Sequence, residues 1–428
     1  MSASLERGVA LFKEAIDAPI ASFFSSCVHC GLCAEACEFY VDTGDPKYTP
    51  IHKLDPLKRL WRQEYTLVGR IAKALGLSRP ITDAELAEWS ELVYDSCTLC
   101  ARCSMVCPVG NDIAYMVRKM REGMAVAGHA PEGLIFATTR TIKLGSPMGV
   151  SLDTVKAQIR HQEKETGETI PLDQVGVDYM VLLSSMEVVN YPEYLGALAK
   201  IFRQAGVTWT LSSDGFEATN SGIQIGVSDL AQEIVQRVVD AAEKLQVRGV
   251  ISPECGHAYT ALRWEGPNLI GRPYPFEVVH IVELLDRLRQ EGRLRTSGKN
   301  PTPLTFHDPC QLVRRGGVID QPRNLLREVA ADFRDVADRG VMNWCCGGGG
   351  GVSTNDRAEP LRLAAFRQKK EQLDAAGVST LVTACANCRV VMEEALEAYH
   401  MEHVQVLGLT ELVAEYLDTE VEKERLAA

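Results

Sequence analysis

CVHCGLCAEAC (27–37) and CTLCARCSMVCP (97–108) decide how the first part of this chain folds. Both follow C-x2-C-x2-C-x3-C, with Cys27, Cys30, Cys33 and Cys37 in the first run and Cys97, Cys100, Cys103 and Cys107 in the second. Gaps of this length let three thiolates wrap one corner of a [4Fe–4S] cube, while the fourth cysteine of each run reaches the other cube. Cys27, Cys30, Cys33 and Cys107 are therefore expected to hold one cubane, and Cys97, Cys100, Cys103 and Cys37 the second. A zinc protein would instead show paired Cys-x2-Cys knuckles. Pro108 follows the second run in the usual way, and Glu38 takes that place after the first.

The surrounding sequence reads as helical to about residue 150. AELAEWSELVY and IAYMVRKMREGM carry apolar residues three and four apart and show no strand-like alternation. Residues 1–160 are thus expected to form a helical ferredoxin domain, with the polar stretch 161–174 as a linker. Beyond it, short apolar runs alternate with helical patterns, the signature of α/β units around parallel sheets.

Composition agrees with a folded redox protein. The chain has 428 residues, 46% of them hydrophobic and 24% charged, so two or three cores are expected. A formal net charge of −12 argues against a nucleic-acid partner, because phosphate binding needs clustered Lys and Arg. No secretory signal is read at the start, and no apolar run approaches the roughly 20 residues needed to cross a bilayer. Fourteen cysteines then point to metal ligation in a reducing compartment. A cytoplasmic location is expected, with membrane contact made only through a partner.

The second half repeats itself at an offset of about 130 residues, giving a first unit over 175–300 and a second over 301–428. VDYMVLLSS matches PLTFHDPC, WTLSSDGF matches VMNWCCGG, and GVISPECGHA matches TLVTACANCR. Five of the six remaining cysteines fall in the second unit: Cys310, the adjacent pair Cys345 and Cys346, and Cys385 with Cys388. Their loops are expected at the carboxyl edge of a parallel sheet, where α/β folds collect ligands. Five thiolates that include a Cys-Cys pair suit an irregular cluster. The glycines 347–351 would let backbone N–H groups approach its sulfurs.

Cys310, Cys345-Cys346-Gly347 and Cys385-x2-Cys388 resemble the cysteine-rich CCG domain of heterodisulfide reductase. With the two ferredoxin runs ahead, the whole chain resembles the HdrD-type iron–sulfur subunits, including DsrK- and TmcB-like proteins. The resemblance implies a duplicated CCG domain and a noncubane [4Fe–4S] cluster on the five cysteines, with Cys345 and Cys346 in the catalytic set. It implies disulfide or trisulfide chemistry fed through the two cubanes. It also implies a location at the inner face of the cytoplasmic membrane, partnered by a membrane cytochrome b subunit and further redox subunits such as a periplasmic multihaem cytochrome c. A small disulfide-bearing protein such as DsrC would be the substrate. Similar motifs in iron–sulfur subunits of glycerol-3-phosphate dehydrogenase and glycolate oxidase imply an alternative, a relay to quinone without chemistry of its own.

The first unit departs from that family. Aligning Cys255 with Cys388 puts Ser252 at the Cys385 position, Ser213 and Asp214 near the Cys-Cys pair and Ser185 near Cys310, so this unit is expected to hold no cluster. Cys255 and His257 then become candidates for turnover, as a thiol and an imidazole that supplies a proton or favours the thiolate. His307 and Asp308 are expected to brace the Cys310 loop. Arg314 and Arg315 read equally as a partner-attracting patch or a solvated basic turn.

Overall fold

The structure, a computed structural model, describes residues 2–418. The chain divides into two compact bodies. The first comprises 2–138, Ser221–Ala231 and Trp344–Gln368; the second comprises Thr139–Asn220, Gln232–Asn343 and 369–418.

The first body is helical, as expected. Helix Ala3–Glu14 starts at Ser2, whose hydroxyl accepts from Leu5 N, and Ala18–Ser26 starts at Asp17, whose carboxylate accepts from Ile20 N. Each cap satisfies an N–H that the first helical turn leaves open. IAYMVRKMREGM lies within the helix Ile113–Ala127, capped by Asp112 and ended by Gly128 at φ 88°. AELAEWSELVY forms the helix Asp83–Ser90 behind a Thr82/Glu85 capping box, then one π turn, Glu91–Asp95. Helices 3–14 and 113–127 cross at Gly8, where a Cβ would come within 2.6 Å of Gly123 O. Leu5, Phe12, Ile20, Met116, Val117, Met120 and Met124 fill the core beneath.

Both cysteine runs adopt one backbone. His29 and Gly31 in the first, and Leu99 and Ala101 in the second, are left-handed at φ 56°, 85°, 57° and 63°. Three of these four carry a Cβ, and left-handed non-glycine residues persist only where the surroundings fix them.

Arg121 supplies much of that constraint. Fully buried, it donates to Val93 O at 2.9 and 2.8 Å, Cys97 O at 2.7 Å, Gln224 O at 2.6 Å and Gly350 O at 2.6 Å. One guanidinium thus joins the second cysteine run to both later chain segments of this body.

The second body holds two four-stranded parallel sheets of identical order. Strands β1 (Tyr179–Val181), β2 (Trp209–Thr210), β3 (Gly249–Ser252) and β4 (Glu277–His280) lie as β2-β1-β3-β4. Strands β5 (Asn300–His307), β6 (Ala330–Phe333), β7 (Thr380–Thr383) and β8 (Gln405–Gly408) lie as β6-β5-β7-β8. All pairings within them are parallel, and the inner strands β3 and β7 are buried throughout, as parallel strands covered on both faces must be. The α + α/β class and the internal repeat expected from sequence are both present.

Three details differ from the sequence reading. The stretch 161–174 is no linker: helix Leu152–Thr166 runs into it, Gln162 and Ile170 are buried, and Leu172 bridges to Leu211. The counterpart of β2 is β6 at 330–333, eleven residues before the Val341 stretch aligned with it, because the second repeat inserts a longer loop after that strand. Finally, 139–160 sits with the sheets while 344–368 sits with the ferredoxin helices.

Replacing Arg121 by Met keeps most of its volume and removes every donor. With an unsatisfied buried carbonyl costing about 1–3 kcal/mol, the variant is expected to lose about 3 kcal/mol or more. Urea denaturation of anaerobically prepared protein measures this, and an unchanged midpoint would count against the role of Arg121.

Candidate metal centres

Cys27, Cys30, Cys33 and Cys107 line one cavity of about 150 Å³, closed on the protein side by Phe24, Leu54 and Ile113. This is the exchanged set read from sequence, with Cys107 of the second run joining three cysteines of the first. The Cys33 thiol is pushed up to about 11, by burial first and then by Cys27, Cys107 and Cys30 around it. Lys58 is buried at the same cavity, 2.7 Å from His29 Nε2.

Cys37, Cys97, Cys100 and Cys103 line a second cavity of about 30 Å³. Burial raises the Cys37 and Cys103 thiols, and the neighbouring cysteines add to it at Cys103. Lys53 is buried here with Nζ 3.7 Å from Cys37 Sγ and a hydrogen bond to Ser96 O. Burial alone would depress its pKa, but Cys37, Cys97, Cys103 and Cys100 raise it further, so the ammonium stays charged.

Four convergent thiols in each cavity, none of the fourteen cysteines in a disulfide, and apolar walls make donor sets that fit [4Fe–4S] cubes. Sequence reasoning missed Lys53 and Lys58, which lie outside the motifs; two lysines in an otherwise apolar segment after the first run were the available signal.

The Cys345–Cys346 pair belongs to this first body. Cys345 Sγ lies 3.4 Å from Thr98 Oγ1, within the Cys97–Cys100 loop. A Cβ at Gly350 would fall 2.8 Å from Thr98 O, and one at Gly349 3.3 Å from the same atom. Trp344 is capped by the Arg102 guanidinium, 3.4 Å from its ring centre. Gly349 and Gly350 therefore do something other than expected: their bare backbone seats the Cys-Cys loop on the second cysteine run.

The other cysteines lie in the second body, at the carboxyl edge of their sheets. Cys310 follows β5, Cys385 caps the helix Ala386–Ala398 after β7, and Cys388 sits in its first turn. Cys255 caps the helix Gly256–Thr260 after β3 with nearly the same backbone as Cys385, φ −144° and ψ 95° against −159° and 110°. Cys255 is thus the counterpart of Cys385, and the sequence alignment with Cys388 was three residues out. The two helix starts meet: Ala386 N donates to Glu254 O at 2.8 Å, and a Cβ on Gly256 would come within 2.4 Å of Leu312 N, just after Cys310. Burial first, and then Cys385, push the Cys255 thiol up, so this environment favours the protonated thiol over the expected thiolate. His257 lies half-buried on the same helix.

Asp308 braces its loop. It takes both Nη atoms of Arg323 at 2.7 and 2.8 Å and Gly340 N at 2.7 Å, while its carbonyl accepts from Asn343 Nδ2 at 2.6 Å. His307 ends β5 fully buried. Arg314 donates to Val341 O at 2.5 Å and to Asn343 O, serving the loop, while Arg315 is exposed.

Comparison with known proteins matches residues 24–111 to a 4Fe-4S dicluster domain and 304–393 to the cysteine-rich CCG domain. The chain is 26% identical to an Hdr-like menaquinol oxidoreductase iron-sulfur subunit 2 of Archaeoglobus fulgidus, over 92% of this chain and 80% of that one. It is 25% identical to the HdrD component of the dihydromethanophenazine:CoB–CoM heterodisulfide reductase of Methanosarcina barkeri, over 92% and 93%. An EtfAB:quinone oxidoreductase of Syntrophomonas wolfei is 26% identical, and there the match spans 88% of this chain but 56% of the relative. Fold, cysteine sets and relatives together define an iron–sulfur oxidoreductase subunit. Within that class the chain is of the Hdr-like type, homologous to HdrD over most of its length.

The seat of the Cys-Cys loop is testable with two alanines. Gly44 and Gly350 are both left-handed, at φ 67° and 62°, but nothing lies within 4 Å of a Cβ on Gly44. Gly44→Ala should cost only the backbone term, about 1–2 kcal/mol, and Gly350→Ala clearly more. Equal shifts in denaturation midpoint would contradict the close seating.

Proposed function

We propose that this chain passes electrons through two [4Fe–4S] cubanes to or from a noncubane [4Fe–4S] site ligated by Cys310, Cys345, Cys346, Cys385 and Cys388, where a disulfide or trisulfide is reduced. The observation that carries the reading is the 3.4 Å approach of Cys345 Sγ to Thr98 Oγ1. It supports a short path between the Cys-Cys pair and the cubane on Cys97, Cys100, Cys103 and Cys37. When bound, such clusters supply single electrons; cleaving a disulfide to two thiols takes two electrons and two protons. The electrons come from partner subunits, a membrane cytochrome b among them, at the cytoplasmic face of the membrane, and the substrate is a disulfide on a small protein such as DsrC.

The chain's own residues have distinct parts in this. Thr98, Gly349 and Gly350 hold the Cys-Cys loop against the second cysteine run. Asp308 and Arg323 fix the Cys310 loop. Lys53 keeps a positive charge beside four thiolate ligands, which favours the more negative, reduced state of whatever they bind. Cys255, beside Cys385, presents a protonated thiol, and His257 is the neighbouring group able to exchange protons with solvent.

A second reading draws on the relatives: two of them are named for menaquinol or quinone oxidation and reduction, which supports a relay between a flavoprotein or cytochrome and quinone.

Anaerobically prepared protein is expected to bind about twelve iron atoms, four per cluster. Replacing Cys345 and Cys346 by serine should lower this to about eight; a native content near eight, unaffected by those substitutions, would remove the third cluster. Cys255→Ala should leave iron and spectra unchanged while disulfide turnover falls by on the order of a hundredfold. Full turnover in that variant would reduce Cys255 to a remnant of a lost site, and turnover of quinol alone would favour the relay.

A further inference from the structure

Helix Leu67–Ala74, in the first body, is turned inside out. Thr66 caps it, accepting from Gly69 N at 3.1 Å. The residues that face the protein are small or polar. Thr66, Gly69 and Ala72, three apart, are half-buried, and Gly69 lies so close to helix Asp55–Tyr65 that a Cβ would fall 1.8 Å from Arg62 O. Its apolar side chains point the other way. Leu67 is 75% exposed, Val68 80%, Ile71 52% and Leu75 68%, followed by Leu77 at 75%. At 100° per residue, positions 67, 68, 71 and 75 form one stripe. No residue of this helix is buried.

Soluble surfaces seldom expose so many large aliphatic residues together without a partner for them. What lies around the stripe indicates which. Arg62, Arg70, Lys73 and Arg79 occur between residues 60 and 80 against the single acid Glu64, in a chain whose net charge is −12. Glu64 is already taken by Lys13 at 2.9 Å and Lys73 at 2.7 Å. Tyr65, 54% exposed, stands just ahead of the helix and donates its hydroxyl to Lys13 O. An aliphatic stripe, a basic flank and an amphipathic aromatic at its edge are the parts of a helix that lies in a bilayer interface.

We propose that helix 67–74 and the turn to Leu77 form an interfacial anchor that inserts its aliphatic stripe into an anionic lipid surface. The anchor is independent of the redox reading above. It replaces the expectation that membrane contact comes only through a partner, and it needs no spanning segment; among the described residues no helix is long and apolar enough to cross a membrane.

Cosedimentation of the full, anaerobically prepared chain with vesicles tests it. The protein should partition to phosphatidylcholine vesicles containing phosphatidylglycerol, at least about tenfold more weakly to phosphatidylcholine alone, since each basic residue near an anionic surface contributes about 1 kcal/mol. Serine at Leu67, Val68, Ile71 and Leu75 together should reduce partition by at least about tenfold with iron content unchanged. Because all four side chains are exposed, folding should survive; if it does not, Val68→Ser alone and Arg70→Glu with Arg79→Glu carry the test, each weakening binding. Failure of the wild type to sediment with either vesicle, or undiminished binding of the variants, overturns the proposal. A photo-crosslinking residue at Val68 in cell membranes separates the occupants. A lipid adduct supports the anchor; an adduct with an integral subunit or a second copy of the chain overturns it.

Discussion

One buried cation organises the ferredoxin body. Arg121 has no exposed surface, and its guanidinium spends its donors on the carbonyls of Val93, Cys97, Gln224 and Gly350. Burial lowers its pKa, but an arginine cannot escape the cost by losing its proton under ordinary conditions. The carbonyl dipoles must therefore be held in place, and the Tyr94 ring face, 4.8 Å from the guanidinium carbon, adds to them. Segments 221–231 and 344–368, distant in sequence, are bound to the Cys97 loop by this requirement. Asp95, buried two residues before Cys97, holds the later segment again through Asn355 and through Arg357 at 2.6 Å.

The consequence for chemistry is that the Cys-Cys pair is fixed relative to the second cysteine run by backbone packing. Gly350 offers its carbonyl to Arg121 and its bare Cα to Thr98 O at the same time, which a residue with a side chain could not do at that separation. Cys345 is then delivered to the Thr98 hydroxyl. Electron transfer rewards such rigidity, because small rearrangements on changing charge keep the cost of each transfer low.

How much of this was legible in the sequence follows from range. The cysteine runs are local, so their spacing picks out the same four cysteines that line each cavity, including the exchange of Cys37 and Cys107. Strand order was accessible because parallel strands buried on both faces read as short apolar runs, and the repeat placed β1, β3, β5 and β7 correctly. Register was not accessible at single-residue precision: helix caps, rather than matching letters, equate Cys255 with Cys385. Nor could composition show that 344–368 leaves its sheet for the ferredoxin helices, since that depends on Arg121 and Asp95, more than two hundred residues earlier. The stretch 161–174 misled for a related reason. Its polar residues outnumber its apolar ones, yet Gln162 is buried against Gly196, where a Cβ would fall 2.6 Å from Gln162 Oε1.

The degenerate first repeat keeps its place because it is structural for the second. Buried Glu254 hydrogen-bonds the start of the last helix through Thr410 N and Oγ1, both at 2.7 Å, and its own N–H donates to Glu187 at 3.0 Å. Burial raises Glu187 to about 8 and Glu254 well above the ordinary carboxylate range, with the neighbouring Glu411 adding to the rise at Glu254. Carboxyls whose pKa is raised on folding are stabilising where they are protonated and become a cost as pH climbs through the folded values, so this junction between repeats is weakest on the alkaline side. Losing cluster ligands from the first repeat left these contacts untouched. Cys255 remains among them, on a helix start that the Cys385 and Cys310 loops pack against. That position explains why the thiol is held in a defined geometry whether or not it reacts.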